Sequence, residues 1–247
     1  MSFATVFVIA ESARATRGNE AVGFLPRFRP HVICDCMRKR IVDIRKPEIV
    51  QAVLQAINKH GLPMPSYDLI AQEADMSRQL IRHYFPDPET LMVDVCNALA
   101  AAYRDCLMRG ILDANTTVRL PMFLDFYFNF LTDKGLRKPE DDAVYDAMFS
   151  LAAGSEKIRR NLAEQYRLLQ YTIAHEVQIS YPQLPQSACR EIGYLFVSIM
   201  YGHWKMVATL GFDESHNRVT RSALDRLIES YLLRYEDPED PPPPRSG

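Results

Sequence analysis

No Cys-x-x-Cys pair and no run of cysteine and histidine at metal-ligand spacing occurs in this 247-residue sequence. Cys34, Cys36, Cys96, Cys106 and Cys189 therefore suggest no zinc site. An odd number of thiols without a secretory leader points to reduced cysteines in the cytoplasm. The opening "MSFATVFVIA" is mildly apolar, yet no basic segment precedes it and no cleavage site follows, so it does not read as a signal peptide. No apolar run approaches the roughly 18 residues of a membrane span. A glycine-rich phosphate loop, HExxH and the nucleophile elbow are all missing, and "HEV" at 175–177 lacks a second histidine. Catalytic, metal and cofactor sites are accordingly not expected. A net charge of only −2 argues against a chain that binds polyanions over its whole surface. What remains is 47% hydrophobic and 24% charged, the composition of a soluble globular protein with length enough for a buried core.

Charge is placed unevenly. In "RKRIVDIRK" (38–46) Arg38, Lys39, Arg40, Arg45 and Lys46 stand against Asp43 alone. Such an arm on a near-neutral chain suits one nucleic-acid face, although read alone it is also a solvated leader. Residues 1–37 lack helical periodicity and mix Gly18, Gly23, Pro26 and Pro30 with scattered charges. They read as a disordered extension or an artefact of start-site choice, with Met37 as an alternative start. The acidic, proline-rich "EDPEDPPPPRSG" (236–247) reads as a disordered tail.

Between 47 and 235 the apolar residues recur at helical spacing without strand-like alternation, which predicts an all-α fold of about nine helices. Ile49, Val50, Val53, Leu54 and Ile57 make one stripe, closed by Gly61 and Pro63. Ser66 caps a short helix over 66–74 that turns Ile70, Ala71 and Ala74 inward, and Ser77 caps the next. Asp87-Pro88 opens a long helix carrying Leu91, Val95, Leu99, Tyr103 and Leu107. Further helices are expected at 117–133, 140–153, 155–181, 186–211 and 216–235, broken at Gly110, Gly135, Gly154, Pro182, Pro185 and Gly211.

The stretch "SRQLIRHYF" (77–85) is too short to be a stable helix alone, and only Ile81 and Phe85 look buried. Arg78, Gln79, Arg82, His83 and Tyr84 occupy the rest of its surface. In "SYDLIAQEADMSRQLIRHYF" a first helix ends at Ala74, Asp75-Met76 turns the chain, and small Ala71 permits close approach of the second helix. This is helix-turn-helix spacing, in which the second helix enters the major groove and Arg or Gln side chains read base edges. An ordinary helical hairpin with a solvated side has the same spacing.

The longer stretch "PEIVQAVLQAINKHGLPMPSYDLIAQEADMSRQLIRHYFPDPETL" resembles the amino-terminal domain of TetR-family transcriptional regulators across all its helices. The first-helix stripe up to Gly61, Ser66 ahead of Ile70-Ala71, the Met76-Ser77 turn, Phe85, and Glu89 with Leu91 carry the likeness. The resemblance implies a DNA-reading helix formed by Ser77, Arg78, Gln79, Leu80, Arg82, His83 and Tyr84. Lys39, Arg40 and the Ser66-Tyr67 helix start are then placed for phosphates. Three positions depart from the family. Asp75 replaces the usual turn glycine, Arg82 the usual tyrosine, and Pro88 a lysine that commonly touches phosphate, which puts that one contact in doubt.

The carboxyl-terminal half is similar more loosely to the BetI branch of that family, through the Gly-x-Trp and apolar run of "YGHWKMVATLGFD" (201–213). Choline is not carried over as a ligand. The helix 186–211 is apolar on two sides, one with Ile192, Leu195, Phe196, Ile199, His203, Met206 and Leu210, the other with Tyr194, Val197, Tyr201, Trp204 and Ala208. Both sides of such a helix are expected to be buried. The family pairs its last two helices across a two-fold axis, which implies a dimer interface of Tyr194, Val197, Tyr201 and Trp204 with Leu224, Leu227, Ile228 and Tyr231. One thick monomeric bundle would bury the same faces. "FLDFYFNFL" (123–131) sets Phe123, Phe126, Tyr127 and Phe130 along one face, as plain core or as the lining of the ligand cavity that the resemblance implies. Tyr171, His175 and His203 are the polar candidates there, and each histidine is equally readable as a satisfied core residue.

The expected organisation is an extension (1–37), a helix-turn-helix DNA-binding domain (38–90), an effector-binding and dimerisation domain (91–236) and a tail (237–247). The expected protein is a cytoplasmic homodimeric regulator, of repressor type, that binds a double-stranded DNA operator and is released by a small-molecule effector. Neither a membrane nor a cofactor is expected as a partner. The alternative is a helical protein-interaction module, which leaves helix 77–85 and the basic arm without an electrostatic role.

Overall fold

The first stripe folds as its spacing predicts: Ile49, Val50, Val53 and Ile57 lie buried along one side of α1 (Pro30–His60). The computed structural model describes residues 30–61, 63–114, 119–136, 138 and 141–236, with backbone alone for 30–43, 112–114 and 236. Of the expected 1–37 extension, residues 1–29 lie outside the described residues, as do the 237–247 tail and the side chains of Lys39 and Arg40, whereas 30–37 have helical backbone and open α1 instead of lacking periodic structure. The chain divides between Ile41 and Val42, and the unit Val42–Gly247 holds both hydrophobic cores.

Among the described residues the architecture is all-α, with nine α-helices and no strand. After α1 come α2 (Tyr67–Ala74), α3 (Arg78–Tyr84), α4 (Pro88–Ala114), α5 (Leu120–Tyr127), α6 (Asp142–Ala152), α7 (Glu156–Ser180), α8 (Gln186–Trp204) and α9 (His216–Glu236). One core joins α1, α2 and α3 to the first half of α4 through Ile70, Ile81, Phe85, Leu91 and Met92. It continues into α6 and α7 at Val144, Met148 and Ile158. The second core is built from the later part of α4 with α5, α7, α8 and α9. Helix α4 runs from one core into the other, about 40 Å at ~1.5 Å per residue. None of the described helices is long and apolar enough to cross a membrane.

Close packing of α7 on α8 rests on Gly193. A Cβ at this position would meet the Gln170 carbonyl oxygen at 2.5 Å and Ala174 at 3.2 Å, so only a bare α-carbon lets the two backbones approach. Arg119, just before α5, makes a two-pronged pair with Glu176 of α7, at 3.1 and 3.0 Å, so the buried Glu176 carboxylate is not left alone.

Two helices end earlier than the apolar spacing predicts. Instead of running to 133, α5 stops at Tyr127, because Asn129 takes a left-handed backbone (φ 61°) and both Phe128 and Phe130 donate from their backbone N–H to Asp125 O. Asparagine tolerates that conformation better than most residues. The reversal removes Phe130 from the predicted aromatic face and leaves it 42% exposed. In place of an unbroken helix over 186–211, α8 ends at Trp204 and passes into one wider, π-type turn over Lys205–Thr209.

Candidate nucleic-acid interface and ligand site

Two serine caps set the helix-turn-helix. Ser66 Oγ accepts from Leu69 N–H at the start of α2, and Ser77 Oγ accepts from Leu80 N–H at the start of α3, both at 3.2 Å. Between them Asp75 ends α2 in a left-handed conformation (φ 50°, ψ 47°), and Met76 N–H closes the turn on Ala71 O at 3.0 Å. Ile81 and Phe85 are fully buried beneath α3, while Arg78, Gln79, Arg82 and His83 are exposed and Leu80 and Tyr84 are half-buried. The opposite sides of one seven-residue helix thus carry opposite chemistry.

Neighbouring side chains hold this surface in place. Tyr67 donates its hydroxyl to Phe85 O at 2.7 Å, so this predicted phosphate contact also fastens α2 to the end of α3. Burial and the nearby Asp87 raise the Tyr67 pKa, against the opposing influence of Arg82. The Arg82 guanidinium lies 5.8 Å from the Tyr67 ring centre, and Arg78 pairs with Asp68 at 3.2 Å. Lys46 covers the Phe85 ring at 4.9 Å. Asp87 caps α4 and accepts from Lys157 of α7 at 2.8 Å, and these contacts hold its carboxyl well below the usual range. That link between head and α7 carries no periodic signal, which is why the sequence alone does not reveal it.

In the carboxyl-terminal half the aromatic residues gather as predicted, but not all candidates join them. Phe123, Phe126 and Tyr127 are buried. Tyr127 stacks on Tyr103 of α4 with ring centres 5.8 Å apart and meets Phe196 edge-on at 5.6 Å. His203 is buried beside Phe128 and Trp204, with its ring nitrogens against Asn217 Oδ1 (2.9 Å) and Thr220 Oγ1 (3.0 Å), and burial lowers its pKa. It is a satisfied core histidine. Tyr171 and His175 are exposed on α7 and are not brought into the aromatic cluster.

A charged group absent from the predicted set lies at this cluster. Asp141 is 2% exposed, and its Oδ1 accepts from the Tyr103 hydroxyl at 3.1 Å and lies 3.5 Å from the Lys138 ammonium. Burial pushes the Asp141 carboxyl up to about 6, while Lys138 opposes the shift. Its charge in turn helps raise Tyr103, Tyr127, Tyr145 and Tyr166, each already raised by burial.

The residues expected at a dimer face divide into two groups. Trp204 (8% exposed), Leu224 (1%) and Ile228 (5%) are buried inside a single chain, and Trp204 donates its indole N–H to Tyr127 O at 3.0 Å. Tyr201 packs on Phe149 with ring centres 4.5 Å apart. Tyr194 is 59% exposed, and Val197, Leu227 and Tyr231 are half-buried. On α9 the exposed apolar residues are Val219 and Leu233 instead. Periodicity marks apolar faces but cannot say which of them the chain covers itself.

No protein-family model matches the chain. Among curated proteins it is 24% identical over 175 residues to the HTH-type transcriptional regulator BetI of Escherichia coli, across 68% of this chain and 84% of that one. Identity to BetI of Vibrio atlanticus reaches 49% over 43 residues, 17% of this chain and 22% of the relative. Among solved structures, a TetR transcription regulator from Haloarcula marismortui superposes with a TM-score of 0.63 at 18% identity, over 75% of this chain and 97% of its own. A transcriptional regulator from Saccharomonospora viridis in complex with choline gives 0.56 at 17% identity, over 75% and 95%. The head geometry, the sequence likeness to the BetI regulators and the all-α fold agree, and the chain resembles the TetR-type DNA-binding transcriptional regulators.

Proposed function

We propose that the protein is a cytoplasmic, homodimeric repressor that binds a palindromic operator and is released from it by a small-molecule effector. Residues 38–90 form the reading head, and 91–236 bind the effector and the second subunit. The observation that carries this reading is the division of α3: four long polar side chains outward, Ile81 and Phe85 anchoring from beneath. Gln79 and Arg82 reach base edges, Leu80 meets a thymine methyl, and Lys39, Arg40, Tyr84 and the start of α2 take phosphates. Two heads in a dimer read half-sites about 34–36 Å apart.

Effector control follows from α4, which shares its first turns with the head core and carries Tyr103 to the aromatic cluster. A ligand that shifts α4 alters the spacing of the two heads, so they no longer fit their half-sites together, and the gain from tethering is lost. A tenfold loss of affinity requires the ligand to favour the DNA-incompetent state by about 1.4 kcal/mol. The choline complex of the Saccharomonospora viridis neighbour supports a small-molecule effector for this chain as well. Selecting bound sequences from a random duplex pool tests the reading. A two-fold symmetric consensus with half-sites one helical turn apart is expected; enrichment of no sequence, or of an asymmetric one, would remove it.

A further inference from the structure

Lysine is seldom buried unless it is paired, yet Lys138 is only 7% exposed. It lies in the connection between the short turn Thr132–Lys134 and α6, outside any helix. Its ammonium stands 4.5 Å from the centre of the Trp204 ring, 2.8 Å from Asp142 Oδ2 and 3.5 Å from Asp141 Oδ1. An aromatic face with carboxylates beside it is the environment that holds a desolvated ammonium, since the ring quadrupole and the charge-assisted hydrogen bonds act together. The other oxygen of the same buried carboxylate, Asp141 Oδ2, has no hydrogen-bond partner. A buried acceptor left idle is unfavourable, and a purely structural ion pair gains nothing by leaving it so.

We infer that Trp204, Asp141 and Asp142 form a binding site for a primary ammonium ligand, and that Lys138 is its tethered occupant, displaced when the ligand enters. This rests on the effector reading above and names the effector's chemical class. Charge favours a cation. Among the described residues, with the Lys138 ammonium withdrawn, Asp141, Asp142 and Asp146 remain close to the ammonium of Lys205, which is hydrogen-bonded to Asp146 and lies 5.3 Å from the Tyr201 ring centre. Hydrogen-bond chemistry favours a primary amine over a quaternary one, because the idle Asp141 oxygen needs an N–H donor and a quaternary nitrogen has none. The tether makes the site self-limiting: an ammonium on the same chain competes at high effective concentration, so a free amine must exceed a threshold before it enters. Entry also disturbs the Asp141 oxygen that takes the Tyr103 hydrogen bond, which places the event on α4.

Trp204 is the chain's single tryptophan, so its fluorescence reports this site directly. The full-length protein is titrated with n-butylammonium, which reproduces the lysine side chain, and with tetramethylammonium, a cation without N–H. The expected result is a saturable change with n-butylammonium, at least tenfold tighter in Lys138→Gln, and at least tenfold weaker again when Asp141→Asn is added. Tetramethylammonium should bind at least tenfold more weakly than n-butylammonium. Thermal melts of each variant with and without n-butylammonium verify that it is folded and should rank the same way. Equal affinity for all variants, equal affinity for both cations, or no saturation in wild type and Lys138→Gln overturns the site and leaves Lys138 as a structural ion pair. Operator release in the same samples separates this from the parent reading. Saturation without release retains the site and removes its effector role, whereas release by another ligand with Trp204 silent retains effector control and removes this site.

Discussion

Tyr103 donates its hydroxyl to Asp141 Oδ1 across 3.1 Å, and this bond ties α4, whose first turns belong to the head core, to a buried carboxylate just before α6. Between Leu91 in the head core and Tyr103 lie about 18 Å of continuous helix at ~1.5 Å per residue. Under the proposed effector control, this continuous segment of α4 is the element through which a displacement at Asp141 would act on the head.

Tyr103→Phe removes the hydroxyl and retains the ring stacked on Tyr127. It should lower stability by about 0.5–1.5 kcal/mol, the net worth of one hydrogen bond, and more if the Asp141 oxygen stays unpaired. DNA affinity without effector should be nearly unchanged, while effector-induced release should weaken. Chemical denaturation and operator titrations of the two proteins check both parts.

The Asp141 carboxyl, about 6 when folded and 3.8 in the unperturbed state, predicts a pH effect of definite sign. Its folded pKa is raised, so between these values the folded chain holds more protons on this group than the unfolded chain. Stability from this group is therefore fully present below the lower value and is lost as pH rises through about 6. The swing is on the order of 3 kcal/mol, what remains after the Lys138 and Tyr103 contacts have partly offset the effect of burial. The stability of wild type relative to Asp141→Asn should therefore fall between pH 4 and pH 7 in urea unfolding; a difference that stays flat or rises would contradict the assignment.

The parts of this fold that sequence patterns reveal are those set by neighbouring residues. Ser66, Ser77, Ala71, Ile81 and Phe85 declare themselves because caps and helical spacing are local, and the structure uses each as expected. The break at Asn129 is hidden because "FYFNFL" looks like an unbroken apolar helix, and only the left-handed backbone at one residue ends it. Asp141 and Lys138 are hidden more deeply. Charged residues crowded at the start of α6 give no apolar periodicity, and the burial of Lys138 and Asp141 is created by Tyr103, Trp204 and their neighbours, which come from distant helices. The double apolar face of 186–211 was legible, but which side closes on the chain itself depends on where α5 and α9 dock.

Gly193→Ala tests the α7–α8 packing. The added methyl would press on the Gln170 carbonyl, a backbone atom that cannot swing aside. Overpacking of this kind typically costs about 1–3 kcal/mol, and the melting temperature should fall accordingly. Gly202→Ala on the same helix, where a Cβ meets nothing within 4 Å, should not be destabilised in this way.

Tyr194→Glu and Leu233→Glu test the proposed homodimer on residues that one subunit leaves exposed, at 59% and 68%. Both variants should fold and run as monomers in light scattering, because an unpaired charge in a subunit interface is costly to bury. Unchanged dimers would move the interface away from these faces, and a monomeric wild type at micromolar concentration would end the proposal.

The central claim is that the exposed side of α3 reads base sequence while the basic arm supplies affinity without sequence preference. Binding of Gln79→Ala and Lys39→Ala to a selected operator and to a scrambled duplex, each at two salt concentrations, measures this directly. Gln79→Ala should lose about 1–3 kcal/mol on the operator and little on the scrambled duplex. Lys39→Ala should weaken both alike and reduce the magnitude of the salt slope by about 0.9. Equal losses on both duplexes for both variants would mean that α3 does not read sequence.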